Sequence, residues 1–265
     1  MKKHLITSGC SFTDTHCSAK TWPIPLKESL GDIILTDYGL SSSGNDMICR
    51  QAIYGTNKLL TQGVDPKDIL VGVMWSGAGR HDFFYSGDAK ELLDCVSKFF
   101  GLSDHEKNYR GLRNPYKFIE EGVGNWILQN PNWPDIFSQF RTQIDNHDSQ
   151  SINTYERILW LQNYFQTVGV DYFCTSYFGW GTFPFIDKKE SELPADVRWM
   201  HKLVDWSKWL PVDGEFEWCY DNGFKDFGHE GVSPDRRTPK HPTNEMHKQF
   251  VTDVILPHLK SRNII

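Results

Sequence analysis

Residues 4–14 read His-Leu-Ile-Thr-Ser-Gly-Cys-Ser-Phe-Thr-Asp, and the rest of the chain is interpreted around this stretch. Its apolar start predicts a short β-strand that ends at a glycine-bounded turn, so Ser11 lies where a strand gives way to a loop or helix. The turn glycine lets backbone N–H groups point toward whatever approaches the hydroxyl, as the donors of an oxyanion hole do. The stretch therefore predicts a nucleophile, provided that a base and further donors follow later in the chain.

Apolar runs and helical periodicity alternate after this first strand. The predicted elements are strands over residues 32–38, 69–75 and 170–177 and helices over residues 47–60 and 152–168. The run at residues 69–75 is apolar at nearly every position, as in a strand buried on both faces. Strand, helix and strand in this order predict an α/β fold: three α/β/α layers around a flavodoxin-like parallel sheet with right-handed crossovers.

Two stretches interrupt the alternation, at about residues 83–150 and 178–235, and we interpret them as irregular insertions in one domain that spans residues 1–265. The second insertion contains one predicted helix, at about residues 197–210. A final helix follows residues 241–243, and we expect Pro257 to bend it or end it.

Composition limits the classes of partner. The formal charge of −6 argues against nucleic acid as the main partner, because binding to the phosphate backbone depends on excess lysine and arginine. The six cysteines form no Cys-x-x-Cys pair and are expected to be thiols. We find no apolar signal-peptide core and no run near the ~20 apolar residues that span a bilayer. A cytoplasmic or phage-particle location without membrane binding is the expectation, and the oligomeric state stays open.

Ligands bind an open parallel sheet outside the carboxyl ends of its strands. The loops expected there carry Ser11, Gly44, residues 76–80 and, from the C-terminal side of the chain, His241. A serine hydroxyl needs a base within hydrogen-bond reach, and neutral histidine suits that role near pH 7. This combination of residue types points to acyl transfer.

Three short blocks resemble the SGNH hydrolase superfamily, also called the GDSL esterases and lipases. Residues 9–13, Gly-Cys-Ser-Phe-Thr, are similar to its first block, although an aspartate usually stands where Cys10 is. Residues 43–46, Ser-Gly-Asn-Asp, look like its second block, and His241-Pro242 is similar to its last block. The resemblance implies that Ser11 is the nucleophile, that the N–H of Gly44 helps to form the oxyanion hole, and that His241 is the general base.

Two departures from the family pattern bear on activity. The third block normally supplies an asparagine side chain to the oxyanion hole, but residues 75–80 read Trp-Ser-Gly-Ala-Gly-Arg, so Ser76 or the Gly77 backbone would have to substitute. The family's aspartate lies two or three residues before the histidine, whereas the nearest acid here is Asp235. A triad with Asp235 requires residues 236–240 to loop out, and the alternative is a Ser–His dyad oriented by a backbone carbonyl.

The implied mechanism is hydrolysis of an ester or acetyl group without metal or other cofactor. His241 takes the Ser11 proton, Ser11 attacks the carbonyl carbon, the N–H groups of Ser11 and Gly44 hold the oxyanion, and water releases the acyl group. Trp75 and Arg80 are expected to contact the substrate. Arg80 suits an anionic group, and its alternative partner is Asp82.

Other interpretations stay open. Ser11 could cap a helix, Gly44 could be a loop glycine, and His241 could be a surface residue ahead of a helix. Cys10 as the nucleophile is less favoured, because the residue before such a serine should point inward.

Eight of the ten tryptophans fall between residues 126 and 218, which favours an acylated carbohydrate as the substrate. A catalytically silent SGNH-like domain that binds glycan or protein, and a flavodoxin-like domain that binds a small molecule, are the alternative functions. His247 lies six positions after His241, a spacing that does not suit a metal pair on one helix.

Overall fold

The computed structural model describes residues 2–15, 20–41, 43–85, 125–129, 147–183, 188–224 and 241–265. Most of the first predicted insertion and the end of the second, including Asp235, lie outside these ranges. The structure has a mixed α/β fold in which helices cover both faces of a parallel sheet.

Four parallel strands form this sheet: β1 His4–Gly9, β2 Ile34–Gly39, β3 Ile69–Trp75 and β6 Asp171–Ser176. They lie side by side in the order β2, β1, β3, β6. In the register, Ser8 of β1 lies opposite Tyr38 of β2 and Val73 of β3. The predicted fold class, a three-layer α/β/α arrangement with a flavodoxin-like sheet, is confirmed. Two further strands, β4 His81–Tyr85 and β5 Asn125–Gln129, pair with each other in antiparallel orientation.

Helices connect the strands and follow the last one. Their bounds are α1 Pro23–Leu30, α2 Asn45–Thr61, α3 His147–Val168, α4 Gly179–Thr182, α5 Ala195–Leu203, α6 Glu215–Asp221, α7 Asn244–Phe250 and α8 Leu256–Ser261. Short 3₁₀ turns occupy Pro66–Asp68, Glu190–Glu192 and Trp206–Lys208, and a π-helical turn, Val251–Ile255, joins α7 to α8.

Alternating side chains of the central strands build two cores, one on each face of the sheet. On one face Val71 and Val73 pack with the buried sides of α2 and α3, including Ile48 and Phe165. On the other face, Leu70 and Met74 of β3 pack with Leu26 of α1 and with Phe250 and Ile255 at the C-terminal end of the chain. Each fully buried side chain of this size contributes about 1.5–3 kcal/mol of transfer free energy. This two-sided burial is why β3 is apolar at nearly every position.

Two glycines end the helices where the sequence predicts. Gly63 after α2 and Gly169 after α3 have φ values of 83° and 74°, a conformation that side chains with a Cβ rarely adopt. The N–H of the next residue then bonds back into the last helical turn, as Val64 does to the carbonyl of Leu59 at 3.1 Å. The first stop leads through the 3₁₀ turn Pro66–Asp68 into β3, and the second leads into β6.

Three details differ from the sequence predictions. The second insertion is less irregular than expected, because its described residues include α4 and α6, and the helix predicted near residues 197–210 ends at Leu203. Helix α1 is absent from the sequence predictions. Pro23 and Pro25 fit its first turn, because the first turn of a helix needs no N–H donor. Pro257 does not end the C-terminal helix, because it lies in the first turn of α8, just after the π turn.

Two observations bear on the expected environment of the protein. No helix in the described ranges is both long enough and apolar enough to cross a membrane. The described cysteines, Cys10, Cys49, Cys174 and Cys219, are free and buried, which agrees with the prediction that they are thiols. Cys17 and Cys95 lie outside the described residues.

Candidate active site

Ser11 lies in a tight turn just beyond the end of β1. The backbone N–H groups of Thr13 and Asp14 both donate to the carbonyl of Cys10, at 2.9 and 3.0 Å, which folds the chain back on itself. A Cβ at Gly9 would lie 2.1 Å from Oγ1 of Thr13, so the close approach requires glycine. Cys10 is fully buried and Ser11 is half-buried. The turn therefore points the thiol inward and leaves the hydroxyl at the carboxyl edge of the sheet.

A half-buried carboxylate, that of Asp37, attaches this turn to β2. Asp37 accepts hydrogen bonds from Oγ1 of Thr7 at 2.7 Å, from N and Oγ1 of Thr15 at 2.9 and 2.8 Å, and from the N–H of Gly39 at 2.9 Å. Burial raises the pKa of Asp37, and these hydrogen bonds act in the opposite direction. The loops after β1 and β2 are therefore fixed relative to each other around Ser11.

His241 enters the same edge from the far end of the sequence. It lies just before α7, whose first turn is capped by the Oγ1 of Thr243. Its Nε2 is 2.6 Å from the Oγ of Ser11, across 230 residues of sequence. The ring of Phe12 packs beside the imidazole, with ring centroids 4.8 Å apart. The structure thus brings the predicted nucleophile and the predicted base into hydrogen-bond contact.

The backbone of Gly44 is engaged by a carboxylate. Its N–H donates to Oδ1 of Asp82 at 3.0 Å, and the N–H of Met47 donates to Oδ2 at 2.7 Å. Asp82 therefore caps the first turn of α2, where a negative charge is favourable. This corrects the expectation that the Gly44 N–H is open to an oxyanion, because the carboxylate holds that donor.

Trp75 and Ser76 lie beneath the surface of the site. Trp75, the last residue of β3, is completely buried among core side chains, so the prediction that it contacts substrate is wrong. Ser76 is also completely buried: its N–H donates to Oδ1 of Asn45 at 2.9 Å and its Oγ accepts from Arg80. The expectation that the Ser76 hydroxyl donates to an oxyanion is corrected, since Arg80 covers it.

Arg80 is held in place by one hydrogen bond and one ring. Its Nη1 donates to Oγ of Ser76 at 2.8 Å, and its Cζ lies 5.1 Å from the centre of the Tyr177 ring. Burial raises the pKa of Tyr177, and the nearby guanidinium partly opposes that rise, so the phenol stays neutral. Arg80 itself is half-buried, and the ion pairs found between described residues do not include it.

Three backbone N–H groups on the loops after β1 and β3 are candidate donors to a ligand oxygen. Within the described part of the chain, the N–H groups of Ser11, Phe12 and Gly77 donate no hydrogen bond. Buried or half-buried N–H groups usually have a partner, so such groups are candidates for binding a ligand oxygen. The oxyanion role of the Ser11 N–H stays a prediction, and the Gly77 backbone remains the alternative to Ser76.

A second histidine forms a pair that the sequence did not reveal. Nδ1 of His247 lies 2.6 Å from Oε1 of Glu215, and the side chains are 1% and 0% exposed. Oε2 of Glu215 and Nε2 of His247 are buried and make no hydrogen bond. The pair joins α6 to α7 and thereby fixes the helix that follows His241. His247 was visible in the sequence, but nothing marked Glu215 as its partner.

Three further predictions concern Asp235, metal ligands and the tryptophans. Asp235 lies outside the described residues, so the triad prediction stays a prediction. No group of three or more His, Cys, Asp or Glu side chains in the described ranges is arranged to hold a metal ion. Trp180, in the short helix after β6, is 50% exposed at the carboxyl end of the sheet, whereas Trp160, Trp199 and Trp206 lie on the helical layer.

No family model, no curated protein and no solved structure matches this chain. The chemistry of the site is therefore inferred from its own residues. These residues place a serine hydroxyl against an imidazole at the ligand-binding edge of a parallel sheet, an arrangement suited to nucleophilic catalysis.

Proposed function

We propose that this protein is a serine hydrolase that cleaves ester or acetyl groups. The observation that carries the proposal is the 2.6 Å separation between Nε2 of His241 and Oγ of Ser11. A serine hydroxyl is a weak nucleophile by itself, and a histidine within hydrogen-bond reach is the usual means of activating it near neutral pH. The two residues come from opposite ends of the chain, so local sequence does not force the contact.

The proposed reaction proceeds through an acyl-enzyme. In the tautomer of His241 that carries its proton on Nδ1, the Ser11 hydroxyl donates to Nε2. His241 takes this proton while Oγ attacks the carbonyl carbon, and the carbonyl π electrons move onto the oxygen. Collapse of the tetrahedral intermediate expels the alcohol, which receives the proton from His241. Water then attacks the acyl group by the same route and frees Ser11.

The resemblance to the SGNH hydrolases gives independent support to these roles. The family's serine block corresponds to residues 9–13 and its histidine block to His241-Pro242, and the sheet expected of such a protein is present. Phe12, packed against the imidazole, is one group that holds the ring in place. We propose either a Ser–His dyad or a triad completed by Asp235.

Labelling with a fluorophosphonate probe tests the proposal. The wild-type protein should be labelled on Ser11, as mapped by peptide mass spectrometry, and it should hydrolyse a small acetyl ester. Labelling should be lost in Ser11→Ala and in His241→Ala, while Ser261→Ala and His258→Gln, two changes on α8, serve as matched controls and retain it. A folded wild-type protein that neither labels nor cleaves the ester would contradict the proposal.

The substrate is proposed to be a small ester or an acylated carbohydrate. The half-exposed Trp180 favours the carbohydrate, because it belongs to the short helix that follows the carboxyl end of β6 and an exposed indole can stack on a sugar. The same observation supports the second candidate function, a catalytically silent domain that binds glycan. Glycan binding that survives Ser11→Ala but not Trp180→Ala, with no ester turnover by the wild type, would favour that second function.

A further inference from the structure

We propose that Arg80 supplies the oxyanion donor for which the sequence offers no asparagine, and is therefore a catalytic residue of the site. This inference rests on the proposed hydrolase function, because it concerns the same reaction. It assigns the guanidinium of Arg80 to the developing negative charge on the carbonyl oxygen, and it does not make Arg80 a receptor for a charged group of the substrate.

The first argument is that two of the three expected donors, Gly44 and Ser76, are engaged elsewhere. The N–H of Gly44 donates to Asp82, and both the N–H and the Oγ of Ser76 make hydrogen bonds inside the protein. Ser76 is also completely buried. The N–H groups of Ser11, Phe12 and Gly77, which donate to no described residue, are neutral donors. A charged donor would stabilise an oxyanion more strongly than these groups alone.

The second argument is that Arg80 is prepared for this role. A guanidinium has five N–H donors, and among the described residues only Nη1 is engaged, at 2.8 Å from Oγ of Ser76. The face of Tyr177 lies 5.1 Å from Cζ and limits movement of the planar group. The fixed, half-buried cation is therefore oriented before the substrate arrives, which is the condition for effective electrostatic stabilisation.

The third argument is position. Strands β1 and β3 are neighbours in register up to Ser8 and Val73, and a Cβ at Gly9 would lie 3.0 Å from the carbonyl oxygen of Met74. Continued at this alignment, the loop after β3 begins beside the turn that carries Ser11. The Tyr177 ring that contacts Arg80 also packs against Phe12, with centroids 5.1 Å apart. Arg80 therefore lies at the same edge of the sheet as Ser11, and the buried Tyr177–Phe12 ring pair lies between them.

The chemistry follows from these positions. When Oγ of Ser11 attacks, the C–O π bond breaks and its electron pair becomes a negative charge on the oxygen. The free N–H groups of Arg80 and the N–H of Ser11 donate to that oxygen. The charge disappears when the C–O double bond re-forms and the alcohol leaves with the proton from His241. The donors thus act on the transition state more than on the neutral ester.

Kinetics of Arg80→Met and Arg80→Lys test the inference. Two activated esters serve as substrates, an acetyl ester and its hemisuccinate analogue, which carries a carboxylate on the acyl group. For Arg80→Met we expect kcat to fall about 10²–10³-fold with little change in KM, and by the same factor on both esters. Arg80→Lys should keep part of the activity because the charge remains, and added guanidinium ion should partly restore Arg80→Ala.

Controls separate this inference from the proposed function. Arg50→Met, on the exposed side of α2, should leave both rates unchanged, and thermal unfolding should show that the Arg80 variants are folded. A loss confined to the hemisuccinate ester and expressed in KM would overturn the inference in favour of anion recognition. Full activity of Arg80→Met would overturn it while leaving the hydrolase proposal intact. An unlabelled, inactive wild type would instead contradict the proposed function itself.

Discussion

Two histidines six residues apart meet opposite environments in this structure. His241 lies half-buried at the carboxyl edge of the sheet, with its Nε2 against the hydroxyl of Ser11. His247 lies fully buried between α6 and α7, with its Nδ1 against the carboxylate of Glu215. The first imidazole can meet a substrate and the second cannot. The contrast shows that the groups packed against a histidine decide its chemistry, and that spacing along the chain does not.

The start of α7 separates the two environments. Thr243 caps the helix, so His241 lies outside it, while His247 is in the helix on its buried side. The Glu215–His247 pair joins α7 to α6, whereas the Ser11–His241 contact joins the residue before α7 to the turn after β1. We therefore expect changes at Glu215 or His247 to act mainly on folding, and changes at Ser11 or His241 to act mainly on catalysis.

The largest expected effect is on turnover. Ser11→Ala and His241→Ala should each lower kcat for ester hydrolysis by at least about 10³-fold, because each removes either the nucleophile or its base. Steady-state kinetics on a small acetyl ester measures this. His247→Gln, compared at a temperature where all variants are folded, should lose far less. If His247→Gln were the more damaging change, the two histidines would have been assigned to the wrong roles.

The second effect is on stability, where we expect the Glu215–His247 pair to matter more than His241. Glu215→Ala leaves His247 buried without its partner, and we expect the free energy of unfolding to fall by about 3 kcal/mol. Urea denaturation measures this quantity. Glu215→Gln keeps a hydrogen-bonding group of the same size and should lose less. His241→Ala, at the half-buried edge, should cost under about 1 kcal/mol, and a larger loss than that of Glu215→Ala would refute the contrast.

A third change probes how the reactive imidazole is held. Phe12 is buried against His241, and Phe165 is equally buried in the core beside Tyr172. Phe12→Leu and Phe165→Leu should both lower the free energy of unfolding by about 1 kcal/mol. Only Phe12→Leu should also lower kcat, by about tenfold, because a tilted imidazole loses its alignment with Ser11. Equal kcat values for the two variants would show that the Phe12 ring does not position the base.

The smallest effect concerns two histidines outside the site. Burial lowers the pKa of both His201 and His258 in the folded protein. The unfolded chain, with a histidine pKa of about 6.5, then binds more protons below that pH, so the free energy of unfolding should decrease as pH falls through about 6.5. His201→Gln should make this decrease shallower in urea titrations at several pH values, and an unchanged slope would contradict the assignment. The raised pKa of Asp37 acts in the opposite sense, favouring the fold at acid pH.

The sequence was sufficient for the fold because its signals were local. The apolar run of β3 predicts a buried strand, and the glycines after α2 and α3 predict helix ends. Each of these signals lies within a few residues. Ser11 and His241 could be paired without coordinates because parallel strands gather their carboxyl ends at one edge and because the short blocks resembled a known family. Both sources of information are independent of detailed packing.

The rest of the site depended on packing between distant segments. Trp75 is the last residue of a strand that is buried on both faces, and its ring packs in the core. The sequence alone did not show that this side chain is completely buried. The carboxylate of Asp82 reaches Gly44 across 38 residues, and Glu215 reaches His247 across 32. No sequence pattern specifies such contacts, because they follow from where helices settle on the sheet.

Trapping the acyl-enzyme tests the central claim most directly. The protein is mixed with an activated acetyl ester, quenched in acid within the first turnovers and examined by intact and peptide mass spectrometry. The account predicts one acetyl group per chain on the peptide that contains Ser11, present in the wild type and in His247→Gln and absent in His241→Ala. An acetyl group on another residue, or ester cleavage without any acylated peptide, would contradict it.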